Sequence, residues 1–181
     1  MASLLERALG AAKLDANTYE EIEADPAALG QAMTVVVVSS LAAGIGAARE
    51  GALALAAGAG VALLGWFVWA LLTYLIGARL IPEPQTQADL GQLLRTIGFA
   101  ASPGILRVFG VVPVVGWLVV LAAALWQFAA MVIAVRQALD YKSTGRAVAV
   151  CAIGFLLYMA MIVAFTVFMV AAGAVGVEVT G

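Results

Sequence analysis

Arg95 and Arg107 stand twelve residues apart in a largely apolar stretch, Gln87 to Gly110. A guanidinium at membrane depth is costly, so the pair marks a candidate site for an ion, a substrate or a lipid headgroup. Twelve residues is roughly 18 Å of helix, which also lets each long side chain extend to its own interface and meet phosphate there. Between them Pro103 and Gly104 break the helix, which in transporters exposes backbone groups to a ligand and elsewhere is a packing kink. Arg79, Arg136, Lys142 and Arg146 stand at the ends of the neighbouring apolar runs. With Arg95 they form a basic face suited to anionic headgroups or an acidic partner. Other chemistries lack their residues. There is no histidine, which removes the commonest metal ligand and general base. Cys151 is the single cysteine and lies in an apolar run, away from any group that would make it a thiolate. No nucleophile stands with a base, no phosphate loop is present, and no carboxylate lies within the long uncharged runs. The chain therefore reads as non-enzymatic, with no metal and no cofactor. Its net charge of −2 gives no basis for a nucleic-acid partner.

The elements that must position these residues are membrane helices. Uncharged runs extend over Pro26 to Ala48, Gly51 to Ala78, Val108 to Val135 and Ala147 to Val177. Each exceeds the ~20 residues that cross ~30 Å of hydrocarbon. With 65% apolar and 11% charged residues, no sequence is left for a separate soluble domain. The expected fold is an all-α integral membrane protein: a five-helix transmembrane bundle over residues 26–177, preceded by a retained cytoplasmic segment, residues 1–25. Leu5, Ala8, Leu9 and Ala12 share one face of a short amphipathic helix that would lie on the membrane surface. Thr18 with Glu21, Asp25 with Pro26, and Thr86 with Asp89 have the spacing of helix starts. Whether Gln87 to Gly110 crosses decides the topology, and positive charge arbitrates. Five spans with a cytoplasmic amino terminus divide Lys and Arg seven to two in favour of the inside, and four spans divide them five to four. Five spans are expected, with the carboxyl end outside. Ser40, Gly44 and Ala48, and Ala54, Gly58 and Ala62, present small faces for close contact within the first hairpin or, in second place, between copies of the chain. The acidic run Glu20, Glu21, Glu23 and Asp25 is placed to fold back on the basic face, with Glu21 or Glu23 meeting Arg146.

Three stretches carry a family resemblance: Leu14 to Asp25 (LDANTYEEIEAD), Leu94 to Pro103 (LRTIGFAASP) and Leu139 to Ala147 (LDYKSTGRA). Together they resemble prokaryotic members of the Yip1 domain family, over about residues 5 to 175. The resemblance implies five membrane helices and a cytosolic amino terminus. Eukaryotic members act in the early secretory pathway and bind prenylated Rab-type GTPases, but this chain has no Asp-Leu-Tyr-Gly-Pro-like motif ahead of its first span, so Rab binding does not carry over. The resulting expectation is a multi-pass protein of a prokaryotic cytoplasmic membrane that organises lipids or partner proteins through its basic face. A small transporter or channel built on the broken third helix, and an accessory subunit of a larger complex, are the alternatives. Its partners would be the bilayer and a membrane protein or a second copy of the chain.

Overall fold

The structure is a computed structural model that describes residues 2–47 and 51–179, the side chains as far as Ala172. Ser3 opens the chain with a reciprocal cap: its hydroxyl accepts from the Glu6 N–H and its own N–H donates to the Glu6 carboxylate. Helix α1 follows, Leu4–Ala12. Arg7 and Ala11 are turned inward, and Leu5 and Leu9 are exposed. Leu14, at φ 63°, then reverses the chain. Helix α2, Ala16–Ala24, starts at Asp15, whose side chain accepts from the Asn17 N–H and the Thr18 hydroxyl. Thr18 and Glu21 therefore lie within the helix instead of capping it. A carboxylate facing the free N–H groups at the positive end of the dipole is the stronger start.

Asp25 accepts from the Ala27 N–H and leads into α3, Ala28–Gly46. Of the four residues Ala48 to Gly51 that leave room only for a tight hairpin, Ala48, Arg49 and Glu50 lie outside the described residues. Helix α4, Ala52–Tyr74, widens into a π-helical turn, Leu75–Leu80. A π turn leaves carbonyls poorly matched to the ladder. The Tyr141 hydroxyl answers them, lying 2.9 Å from Gly77 O and 2.8 Å from Ile81 O.

Helix α5, Leu90–Phe99, is capped by Asp89 in a box with Gln92. Thr86, expected as the cap, instead donates to the Leu139 carbonyl and ties the loop before α5 to the loop before the last helix. From Ser102 to Val111 the chain tightens into a 3₁₀ segment with Pro103 near its start. A turn around Val114, at φ 69°, leads to α6, Gly116–Ala138, and then to α7, Thr144–Val179. Seven α-helices and no strand are found among the described residues. Four helices are long and apolar enough to cross a membrane: Ala28–Gly46, Ala52–Leu80, Gly116–Ala138 and Thr144–Ala172. The segment Leu90 to Val111 is not one of them, because its helix changes type halfway.

Two buried clusters hold the bundle. One joins α1, α2, α3, α5 and α6 around Tyr19, Ile22, Ala32 and Phe99. The other joins α4, α5, α6 and α7 around Ile76, Leu93, Leu139 and Val150. The closest backbone approach was not expected: α3 lies against the α5 and 3₁₀ segment. A methyl built on Gly98 would stand 2.7 Å from Ala32 Cβ, one on Gly46 would overlap the Arg107 carbonyl, and one on Gly110 would stand 2.7 Å from Gly46 O. Residue numbers rise together along both chains, so the two run side by side in the same direction. Of the small faces expected to close the first hairpin, Gly44 does meet Leu55 on α4. Ser40, Gly58 and Ala62 line a cavity instead, and Ala48 lies outside the described residues.

Candidate functional site

Five of the six cations singled out by the sequence gather on the amino-terminal side, Arg95 within α5 and the others at the ends of α4, α6 and α7, and Arg107 stands apart. Four of the five are held by neighbouring groups, and Lys142 is tied only through its backbone. Arg79 donates to the Tyr74 hydroxyl at 2.8 and 3.2 Å and lies over its ring. Arg95 is buried and donates to the carbonyls of Ile22 and Glu23. These are late carbonyls of α2, where the helix dipole is negative and a cation is favoured. Arg136 donates to the Tyr141 carbonyl at 3.2 Å. Arg146 pairs with Glu83 at 3.5 Å, donates to the Pro82 carbonyl and stacks over Tyr141. Lys142 donates its backbone N–H to Glu83, which with the help of Gln85 holds that carboxyl below its ordinary range, and keeps its side chain exposed.

The acidic segment does fold back onto this side, but its partners differ from those expected. Arg7 takes Asp25 at 2.7 Å and Glu21 at 3.1 Å, joining α1 to α2, and reaches Gln31 on α3. Glu20 accepts from Gln137 and Glu23 from Gln92. Neither Glu21 nor Glu23 meets Arg146, because Glu83 is nearer in the fold and takes it. The face is therefore of mixed charge. A pocket of about 620 Å³ opens in it, lined by Glu20, Glu23, Gln92, Arg136, Asp140 and Lys142 among others. Burial, reinforced by the charge of Asp140, pushes the Glu23 carboxyl up to about 7.

Arg107 belongs to a different place. It lies in the 3₁₀ segment, and its Nη2 donates to Gln127 Oε1 at 2.6 Å. Gln127 is eleven residues from Gly116 and eleven from Ala138, the middle of α6. The guanidinium turns inward to mid-helix, and does not reach outward to an interface as its position in the sequence allows. The Pro103 and Gly104 break makes this arrangement fit. A methyl on Gly104 would stand 2.8 Å from Gln127 Oε1 and 3.4 Å from Ser39 Cβ, so any larger residue would push the amide from its place. The break is satisfied within the protein: the Ala101 carbonyl accepts from Ser39 Oγ and the Gly104 N–H, and Ser102 Oγ donates to Phe99 O. Beside it lies a cavity of about 590 Å³ between α3, α4, α5, the 3₁₀ segment, α6 and α7, into whose lining Arg107, Gln127, Trp69 and Tyr158 bring polar atoms alongside Ser39, Ser40 and Trp66.

Gln127 and Arg7 went unread in the sequence for different reasons. Gln127 is uncharged, and a search for charge within apolar runs passes over an amide. Arg7 sits among polar residues where a solvated face is the ordinary expectation. The signal for Gln127 was available as the one amide between Trp117 and Val135. Among the described residues no group of His, Cys, Asp and Glu is placed to hold a metal.

Most of this arrangement, from the Asp15 cap into α7, falls within one recognisable unit. A family model, the Yip1 domain, matches residues 15–172. No curated protein and no solved structure matches the chain. The match takes in most of the 181 residues, and the chain belongs to the Yip1 domain family.

Proposed function

We propose that this Yip1-domain protein crosses a prokaryotic cytoplasmic membrane five times, with its amino terminus in the cytoplasm, and organises partner proteins or lipids through the amino-terminal face. The parallel course of α3 and the α5–3₁₀ segment supports the fifth crossing. Ten residues of α-helix and ten of 3₁₀-helix extend about 35 Å, enough for ~30 Å of hydrocarbon. The charge split supports the orientation, since Arg7, Lys13, Arg79, Arg95, Arg136, Lys142 and Arg146 then share the cytoplasmic side. The exposed leucines of α1, with Lys13 at its end, fit a helix lying at the interface.

The observation that carries the docking reading is the interleaving of carboxylates with cations around the 620 Å³ pocket. A surface made for anionic headgroups alone would repel them with Glu20, Glu23 and Asp140, whereas a protein partner can match both signs. The transporter reading asks for a wet face along Arg95 and Ser102. Both are buried and bonded to protein carbonyls, which supports the docking platform.

Cysteine labelling from each side of the membrane tests the crossing, with single cysteines at Thr86, Val114 and Ser143 in a Cys151→Ala background. Val114, in the turn after the 3₁₀ segment, is 87% exposed and so open to the label. Labelling of Thr86 and Ser143 from the cytoplasmic side and of Val114 from the other is expected. Labelling of Thr86 and Val114 from the cytoplasmic side and of Ser143 from the other would show that the segment enters and returns while α6 crosses. For the docking face, charge reversal at Lys142 should weaken cross-linking to a co-purifying membrane protein, and reversal at Arg107 should leave it intact. The opposite pattern would move the interface into the bundle.

A further inference from the structure

The cavity around Arg107 has walls of two kinds. Val61 on α4 and Phe155 and Met159 on α7 line it and are exposed on the outside of the bundle, at 69%, 53% and 40%. Beyond Tyr158, whose ring meets Trp69 edge-on at 5.9 Å, the side chains of α7 stay largely exposed as far as Ala172. The cavity thus has a lateral mouth toward whatever surrounds α4 and α7, and for a membrane bundle that is lipid. Its floor is polar. The Arg107 guanidinium is held there by the neutral oxygen of Gln127, and among the described residues no carboxylate lies within ion-pair distance of it. The Trp69 indole N–H is buried in the same lining with no acceptor. A cation and an unanswered donor taken out of water each carry a desolvation penalty that an anion would offset. A volume of about 590 Å³ falls within the ordinary range of small-molecule sites.

We infer that this cavity is a binding site for an anionic membrane lipid, its acidic headgroup drawn to Arg107 and an acyl chain leaving between α4 and α7 along Val61, Phe155 and Met159. Charge complementarity selects the headgroup, and the lateral apolar mouth selects a lipid over a free anion. Gln127 and the Gly104 gap are positioning elements, because they turn the guanidinium inward. This site is separate from the cytoplasmic docking face, both in position and in the cation that serves it.

Native mass spectrometry of the full-length protein, given phosphatidylglycerol and phosphatidylcholine in equal amounts, tests the assignment. The wild type should retain phosphatidylglycerol about tenfold better, the discrimination of one good charge-assisted contact. Arg107→Gln should lose that preference and Arg107→Lys should keep part of it. Ala62→Phe leaves the charge in place and fills the cavity wall, so it should lose the bound lipid even if Arg107→Gln does not fold. A combined Arg79→Gln, Lys142→Gln and Arg146→Gln variant should behave as the wild type. Preference that survives both Arg107→Gln and Ala62→Phe, or that disappears in the triple variant, would overturn the proposal and place the lipid on the cytoplasmic face. Inorganic phosphate displacing the lipid at equal concentration would also overturn it, in favour of a site for free anions.

Discussion

Three glycines set the close contacts of this bundle. Gly46 and Gly110 let α3 touch the 3₁₀ segment backbone to backbone, and Gly104 makes room for the amide that holds Arg107. Gly46→Ala should therefore cost about 1–3 kcal/mol or more, since the obstacle is a carbonyl that cannot rotate away. Gly30 and Gly60 have nothing within 4 Å of an added methyl. Alanine there should be neutral or stabilising by up to about 1 kcal/mol. Thermal melts in mild detergent compare the pairs. Val114 poses the reverse case, a β-branched residue at φ 69°. That conformation costs roughly 1–2 kcal/mol, partly offset by glycine's greater freedom when unfolded. Val114→Gly should raise stability by up to about 1 kcal/mol in the same melts. Glu23 sets a pH dependence. Burial and Asp140 lift its carboxyl to about 7, with Glu20 and Asp89 adding to the effect and Arg95 opposing it. The protonated form suits the fold, so the stabilisation is fully present below 4.5 and lost as pH rises through about 7. After allowing for its partial exposure the effect is about 1–2 kcal/mol. Wild-type melting should fall between pH 5 and pH 8, and Glu23→Gln should flatten that fall; equal slopes would mean that Glu23 titrates normally.

At the scale of elements, α1 and α2 form a strap tied down at named points. Arg7 binds α1 to the end of α2, Trp126 on α6 donates to the Ala12 carbonyl, and Arg95 holds the late carbonyls of α2. Removing one partner of a fully buried pair costs 3–5 kcal/mol, but Glu21 and Asp25 keep 47% and 19% of their side-chain exposure and can rehydrate. Arg7→Met should thus cost about 1–3 kcal/mol. It should also speed tryptic cleavage after Lys13, which lies between the two helices, while Glu21→Gln alone should barely change the rate. Helix α5 depends on its start: Asp89→Ala removes the side-chain half of the capping box and should cost about 1 kcal/mol. These starts also show the limit of spacing rules. Asp15 won over Thr18 because its carboxylate answers the helix dipole and binds the Thr18 hydroxyl as well, and Asp89 won over Thr86 because Thr86 is engaged by the Leu139 carbonyl.

For the whole molecule, the two ends of α7 differ in kind. Near its start Val150 and Cys151 are buried against Ile76 and Leu139, whereas Phe165 is 64% exposed. Lipid is as apolar as a side chain, so a membrane helix is held only where it packs. Leu139→Ala should cost about 2–5 kcal/mol and Phe165→Ala close to nothing, as read by melting. The sequence by itself determined the four long apolar helices, their order and the Yip1 family. Those follow from the length of uncharged runs against a hydrocarbon layer of fixed thickness, and from local motifs, none of which depends on how helices pack. Tertiary structure alone decided the course of Leu90 to Val111 beside α3, because that rests on Gly46, Gly98 and Gly110 each meeting a residue more than sixty positions away along the chain. It also decided the fate of each arginine. Arg95 and Arg146 find carbonyls and a carboxylate 60 or more residues away, and Arg107 finds Gln127. A charge scan sees only one end of each of these bonds; the fold supplies the other.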